Sequence, residues 1–230
     1  METRALFEQL AAAEQEGWNE IYEGDFIRHL RTHGIDRDLY VALMTEIYHY
    51  TRHNAQNQAL AVLGVQSDRL ALLKYCLHHA YQEAGHDQMV IRDLAQVGVQ
   101  RETVESSNPL PETQAFVAYL YQLAHNRDAT HRLGYSYWAE NAYAYISELI
   151  EAIKRDVKLT DDQLTFFVEH STIDEAHFAQ VKNIIANSCV TEEQQAGALD
   201  ALKVTLRLTG NIMDAVYREV QKRRSRTAAA

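Results

Sequence analysis

"LTDDQLTFFVEHSTIDEAHFAQVKNIIAN", residues 159–187, decides how the whole chain is read. Its apolar residues recur at helical spacing, and the Thr-Asp-Asp start supplies a cap before the run. One helix over about 160–187 is predicted. An α-helix turns by about 100° per residue, so offsets of three, four and seven return to nearly one face. His170, Asp174 and His177 stand at such offsets. Two imidazoles roughly 10 Å apart along the axis, with a carboxylate between them, suit two metal ions better than one.

The same spacing recurs upstream in "YCLHHAYQEAGHDQMVIRDL", where His79, Glu83 and His86 repeat the order His-x3-acid-x2-His. A single helix over about 67–98 would put both histidines on one face, with His78 turned toward solvent. A third contribution comes from "GYSYWAENAYAYISELI". There Glu140 sits among Tyr137, Trp138, Ala142 and Tyr143, where an unpaired carboxylate is costly. Metal coordination relieves that cost. Tyr137 and Trp138 are also candidate contacts for an aromatic substrate. Imidazole and carboxylate donors without thiolate suit iron or manganese in a helical bundle, and zinc is compatible with the same ligands. Two metals bridged by one carboxylate, with open positions for dioxygen and substrate, follow from the set.

Around these segments the helical period predicts further helices at about 3–17, 19–32, 36–64, 111–125, 129–156 and 191–223, an all-α class. Both prolines fall in "RETVESSNPLPETQ", residues 101–114. Each flank has too few helices to close a core alone, so residues 1–230 are expected to form one domain. A basic tail from about Lys222 is expected to fray. A net charge of −10 argues against nonspecific nucleic-acid binding. No stretch approaches the ~20 apolar residues of a membrane helix, and the amino-terminal segment lacks a signal-type apolar run. Cys76 and Cys189 show no paired spacing, which points to a reduced, cytoplasmic protein. A small-molecule substrate is the expected partner, and a homodimer is allowed.

"EIYHYTRH", residues 46–53, offers a different reading. Glu46-x2-His49 and Glu83-x2-His86 follow the Glu-x-x-His order of ferritin-like bundles. Glu46 and Glu83 would then be alternative ligands, and His53 would stand behind them or line the cavity. That reading leaves His79 and His170 without a role and needs a glutamate where the chain has Asp174.

Taken together, these residues resemble the haem-oxygenase-like diiron oxidases. That family pairs an acid-x6-His helix with a lone glutamate on a later helix and a His-x3-Asp-x2-His helix. Glu140 meets the second element, and His170, Asp174 and His177 meet the third. His86 matches the first element's histidine, but His79 stands at its acidic position, and Glu83 is the nearby residue that could restore the charge. The resemblance implies a single-domain haem-oxygenase-like helical bundle holding two ferrous ions, with dioxygen as co-substrate. It implies His79, Glu140 and His177 on one iron, and His86, His170 and Asp174 on the other, with Glu140 bridging. The histidine at 79 and the aromatic surroundings are similar to nitrile-forming members. These imply a brominated tryptophan converted to indole-3-carbonitrile with loss of the carboxyl carbon. A ferritin-like iron-storage protein and a metal-free thiamin-salvage enzyme using Cys76 are the competing functions. "KYCLHH" offers no clear acid partner for such a cysteine.

Overall fold

Twelve α-helices, three single 3-10 turns and one π-helical turn make up the regular structure among the described residues, and these include no strand. The computed structural model describes residues 3–125 and 128–228, with the side chains of 169–176 left out. The helices are α1 (Thr3–Tyr22), α2 (Asp25–His33), α3 (Arg37–Thr51), α4 (Asn54–Ala61), α5 (Leu70–Gln82) and α6 (His86–Gln96). They continue with α7 (Arg101–Glu105), α8 (Pro111–Ala124), α9 (Leu133–Ala139), α10 (Ser147–Ala152), α11 (Thr165–Ser188) and α12 (Glu192–Ala228).

α12 is the spine. It packs along α1, α9, α8, α3 and α2, burying Ala198, Ala201, Leu202 and Leu206 completely. Small residues let two neighbours come close. A Cβ at Gly134 of α9 would lie 1.8 Å from the Ala198 carbonyl oxygen, so only glycine fits where these two backbones touch. A Cβ at Gly17 would meet the Leu206 side chain at 2.7 Å. That packing explains why α1 runs through Gly17 to Tyr22, where the sequence predicted a stop.

The first amides of a helix have no partner within it, and a carboxylate placed there also meets the positive end of the helix dipole. Here the carboxylates come from distant helices. Asp93 of α6 accepts from the Thr165 and Phe166 amides (3.0 and 2.9 Å) and from the Thr165 hydroxyl (2.7 Å) at the start of α11. Glu46 of α3 does the same for α8, accepting from the Leu110 amide at 3.0 Å and the Thr113 hydroxyl at 2.6 Å. Asp214 of α12 accepts from the Phe26 amide of α2 at 3.0 Å. These carboxylates fix where three helices begin relative to the others.

Three predicted helices are interrupted. The 36–64 run breaks at Arg52–His53, and the 129–156 run breaks after Ala139. The 67–98 run breaks at Glu83–Gly85, where Gly85 takes φ 99°, a left-handed conformation that glycine adopts without strain. Histidines 79 and 86 are therefore not on one continuous face. The basic tail does not fray as expected: α12 stays helical to Ala228, with Arg223 paired to Glu219 at 3.1 Å and Arg224 paired to Asp36. No helix among the described residues is long and apolar enough to cross a membrane.

Asp93 is fully buried and holds three donors, so Asp93→Ala strands the start of α11. We expect unfolding free energy to fall by about 2 kcal/mol, read from the urea midpoint, with the slope unchanged.

Candidate metal centre

The donor residues gather where helices end. α5 stops at Gln82, leaving Glu83 at its carboxyl cap, and His86 opens α6 on the far side of the Gly85 turn. Glu140 caps the carboxyl end of α9. α11 passes across these ends and contributes His177. Irregular backbone lets these residues point at each other, which one straight helix could not arrange.

Glu140 lies at the centre. One carboxylate oxygen is 2.7 Å from His79 Nε2, and the other is 3.3 Å from His177 Nδ1. The three donor atoms all lie within 4.8 Å of one another. His79 is 4% exposed and Glu140 8%. Glu83 continues the cluster: one of its oxygens is 3.7 Å from His79 Nε2 and the other 3.5 Å from His86 Nδ1. Asn54 donates to that second oxygen at 3.1 Å. The far sides of the ligands are held too. His79 Nδ1 meets the Tyr75 hydroxyl at 3.2 Å, and His177 Nε2 meets the Gln82 amide at 2.8 Å.

Burial opposes the charge on Glu140, but hydrogen bonds with His177 and His79 outweigh it and hold its carboxyl near 2. Burial likewise opposes the charge on Glu83, yet bonding to His86 keeps its carboxyl below the usual range. Burial disfavours the His86 imidazolium, and Glu83 more than restores it. Among the described residues, the cationic groups within ion-pair distance of Glu83 and Glu140 are histidines only. Two buried carboxylates ringed by imidazoles, with no arginine or lysine among the described residues within ion-pair distance, are what a metal cation would neutralise. The nitrogen and oxygen donors fit iron.

The sequence-predicted residues fall into four groups. His79, Glu140 and His177 come together, and Glu83 links them to His86. The side chains of His170 and Asp174 lie outside the described residues, so their expected place as ligands is neither met nor missed. Glu46, His49 and His53 are a correction. Glu46 caps α8, His49 Nε2 meets the Ser107 hydroxyl at 2.8 Å, and His53 Nδ1 meets the Tyr121 hydroxyl at 3.1 Å. A ferritin-like site built on Glu46 and His49 therefore has no support. Trp138 and Tyr137 divide. Trp138 lines the cavity beside the cluster, with its indole N–H donating to Thr205 at 2.7 Å. Tyr137 packs instead against Phe7 and Phe178, with ring centroids 6.5 and 5.1 Å away. Sequence reasoning passed over Tyr75 and Asn54. Tyr75 stands four residues before His79 and was legible as its helical neighbour, but Asn54 comes from another helix and left no local signal.

The cavity has a volume of about 170 Å³ and reaches His79, Glu83, His86 and Glu140. Its other walls include Trp18, Phe116, Tyr143 and Phe166. Cys76 is buried, and burial pushes its thiol above the usual range despite nearby Arg132, which makes it a poor nucleophile.

The family model for iron-containing redox enzymes of haem-oxygenase type matches residues 41–210. The chain belongs to this family. It is 38% identical to a domain of unknown function with a haem-oxygenase-like fold from Shewanella denitrificans. The alignment covers 98% of this chain and 96% of that one, with a TM-score of 0.91. A TenA homologue from Pseudomonas syringae is 12% identical over 95% of this chain and 96% of that one, with a TM-score of 0.76. A CADD-like protein of unknown function from Nostoc punctiforme is 15% identical over 94% and 97%, with a TM-score of 0.75. These two likenesses establish the fold alone. Among curated proteins, none is similar enough in sequence to count as a relative.

Two measurements follow from this geometry. After anaerobic loading with ferrous salt, His79→Ala, Glu140→Ala and His177→Ala should each lose at least one equivalent of iron by colorimetric counting, and Glu46→Gln should load like the parent. The second concerns Glu14 of α1, which is buried and accepts from Asn141, the residue after Glu140, at 3.0 and 3.1 Å. Burial raises its carboxyl from 4.5 to about 7, although the Asn141 bond opposes this. The folded state therefore keeps a proton that the unfolded chain releases, so the stabilisation present below pH 4.5 is lost as pH rises through about 7. Glu14→Gln should flatten that slope and gain roughly 1–3 kcal/mol at pH 8 relative to the parent, measured by urea unfolding across pH.

Proposed function

We propose that the chain is a non-haem diiron oxidase that uses dioxygen to convert a tryptophan-type amino acid to a nitrile. The observation that carries this reading is Glu140, buried and charged, with one oxygen turned to His79 and the other to His177 at the wall of an aromatic cavity. His79, Glu140 and His177 would hold one iron. His86 would hold the other with His170 and Asp174, and Glu83 stands within reach of His79 and His86. When bound, two ferrous ions supply the electrons that reduce dioxygen, chemistry that no side chain here offers.

The protein's own part is position and exclusion of water. Tyr75 and Gln82 hold the far nitrogens of His79 and His177, so each ring presents its near nitrogen to Glu140. A cavity of about 170 Å³ is close to the roughly 150 Å³ that holds benzene in an engineered protein core. It suits one compact ring system. The aromatic walls keep water from that ring and from the metal-facing atoms. The chain resembles the nitrile-forming diiron enzyme of aetokthonotoxin biosynthesis in carrying His79 where the family pattern has an acid. That resemblance supports a brominated tryptophan as substrate and an indole-3-carbonitrile as product. Tryptophan has three carbons beyond its ring and the nitrile keeps the ring-attached one, so the carboxyl carbon and Cα leave together, the amine nitrogen passes from Cα to Cβ, and dioxygen is the oxidant.

The test is anaerobic ferrous loading, addition of tryptophan or its brominated derivatives, and exposure to dioxygen with product mass measured. Nitrile formed only when iron and dioxygen are both present is the expected result. Oxygen uptake without nitrile would retire the nitrile step alone, and no oxygen uptake with any of these amino acids would overturn the oxidase reading.

A further inference from the structure

Single apolar side chains on a protein surface are ordinary, but a contiguous group of them calls for a cause. The exposed large apolar residues among those described are Leu63, Leu70, Leu77, Tyr81 and Val190, each 52–83% open to solvent. They share one face. Gly64, Arg69 and Val190 line a single cleft, Arg69 donates to the Ser188 carbonyl, and Leu63 and Leu70 adjoin Gly64 and Arg69 in the chain. Leu77 and Tyr81 follow Leu70 along α5, two and three turns on.

α5 faces two ways. Leu72, Cys76, His79 and Ala80 are buried, and His79 belongs to the metal centre. On the open side stand Leu70, Lys74, Leu77 and Tyr81, at gaps of four, three and four residues. Such a seam pairs helices in coiled coils. These gaps read the same in both directions, and a twofold axis requires a patch that complements itself. Two copies of α5 laid antiparallel bring Leu70 to the partner's Tyr81 and Lys74 to the partner's Leu77. The Lys74 stem then covers that leucine while its ammonium reaches water.

Charge and area also favour a second copy. The chain carries a net charge of −10, yet α5 has no carboxylate, so two acidic molecules meet along this helix without opposing acids. The five side chains present on the order of 400 Å² of apolar surface. A stable dimer buries roughly 800 Å² per partner, with a polar rim around an apolar centre. Exposed Gln66, Ser67 and His78 flank the apolar residues in the chain and supply such a rim.

We propose that this face is the interface of a twofold homodimer in which α5 packs antiparallel on the partner's α5. The partner braces, from outside, the helix that carries His79. The proposal stands apart from the iron and nitrile readings.

Sedimentation velocity of the full-length protein across micromolar concentrations tests it, and the parent should run as a dimer. Leu77→Lys sets a cation against the partner's Lys74 and should weaken the dimer at least tenfold. Leu77→Glu meets the same lysine as an ion pair and should keep the dimer within a few fold of the parent. Circular dichroism checks that both variants fold. As a second measurement, Leu70→Cys combined with Tyr81→Cys should give a covalent dimer on mild oxidation, and neither change alone should. A monomeric parent overturns the proposal, and its binding to phosphatidylcholine–phosphatidylglycerol vesicles would give the face to a membrane instead. A dimer that Leu77→Lys leaves intact lies on another face and also overturns it. So would equal loss in both Leu77 variants, or failure of the double cysteine variant to cross-link.

Discussion

A carboxylate that stays charged while buried is the constraint on which this molecule is built. Glu140 keeps its charge only because two imidazoles face its two oxygens. The rest of the architecture brings those three groups to one point and keeps them there. The backbone contact of Gly134 with Ala198 fixes α9 against α12, and α9 ends on Glu140. Asn141, the next residue, is tied to Glu14 of α1. Asp93 fixes the start of α11, which delivers His177. Low-dielectric surroundings strengthen each contact in the cluster and make each missing one expensive.

The all-helical class and the family were legible because periodicity and donor spacing survive in one dimension. Glu140 was found by an energetic conflict, a carboxylate in an aromatic run, and His177 and His79 by their place in matched stripes. The stripe argument assumed straight helices, and there it went astray. Gly85 breaks the run between His79 and His86, so the donors converge from helix ends and not from one face. Glu46 shows the opposite failure. Its Glu-x-x-His spacing looked like a ligand pair, yet the unpaired amide at Leu110 claims the carboxylate from 64 positions away. Capping between distant helices leaves no periodic trace. Nor do Asn54 and Gln82, whose roles depend on which helices meet.

A shared fold does not carry a shared chemistry. TenA homologues share the helical architecture at 12% identity, a level at which similarity speaks for the backbone and not for the reaction. The distinction here is made by side chains. Cys76 is buried with its thiol raised, and two imidazoles and two carboxylates, those of His79, His86, Glu83 and Glu140, stand on the cavity wall. Aromatic walls then define what can lie beside that cluster.

Anomalous diffraction at the iron edge, from crystals of the ferrous-loaded protein, tests the central claim most directly. A peak bonded to Glu140, His79 and His177, with a second close by on the His86 side, is the expected result. Iron bound elsewhere, with Glu140 still hydrogen-bonded to both imidazoles, would contradict it.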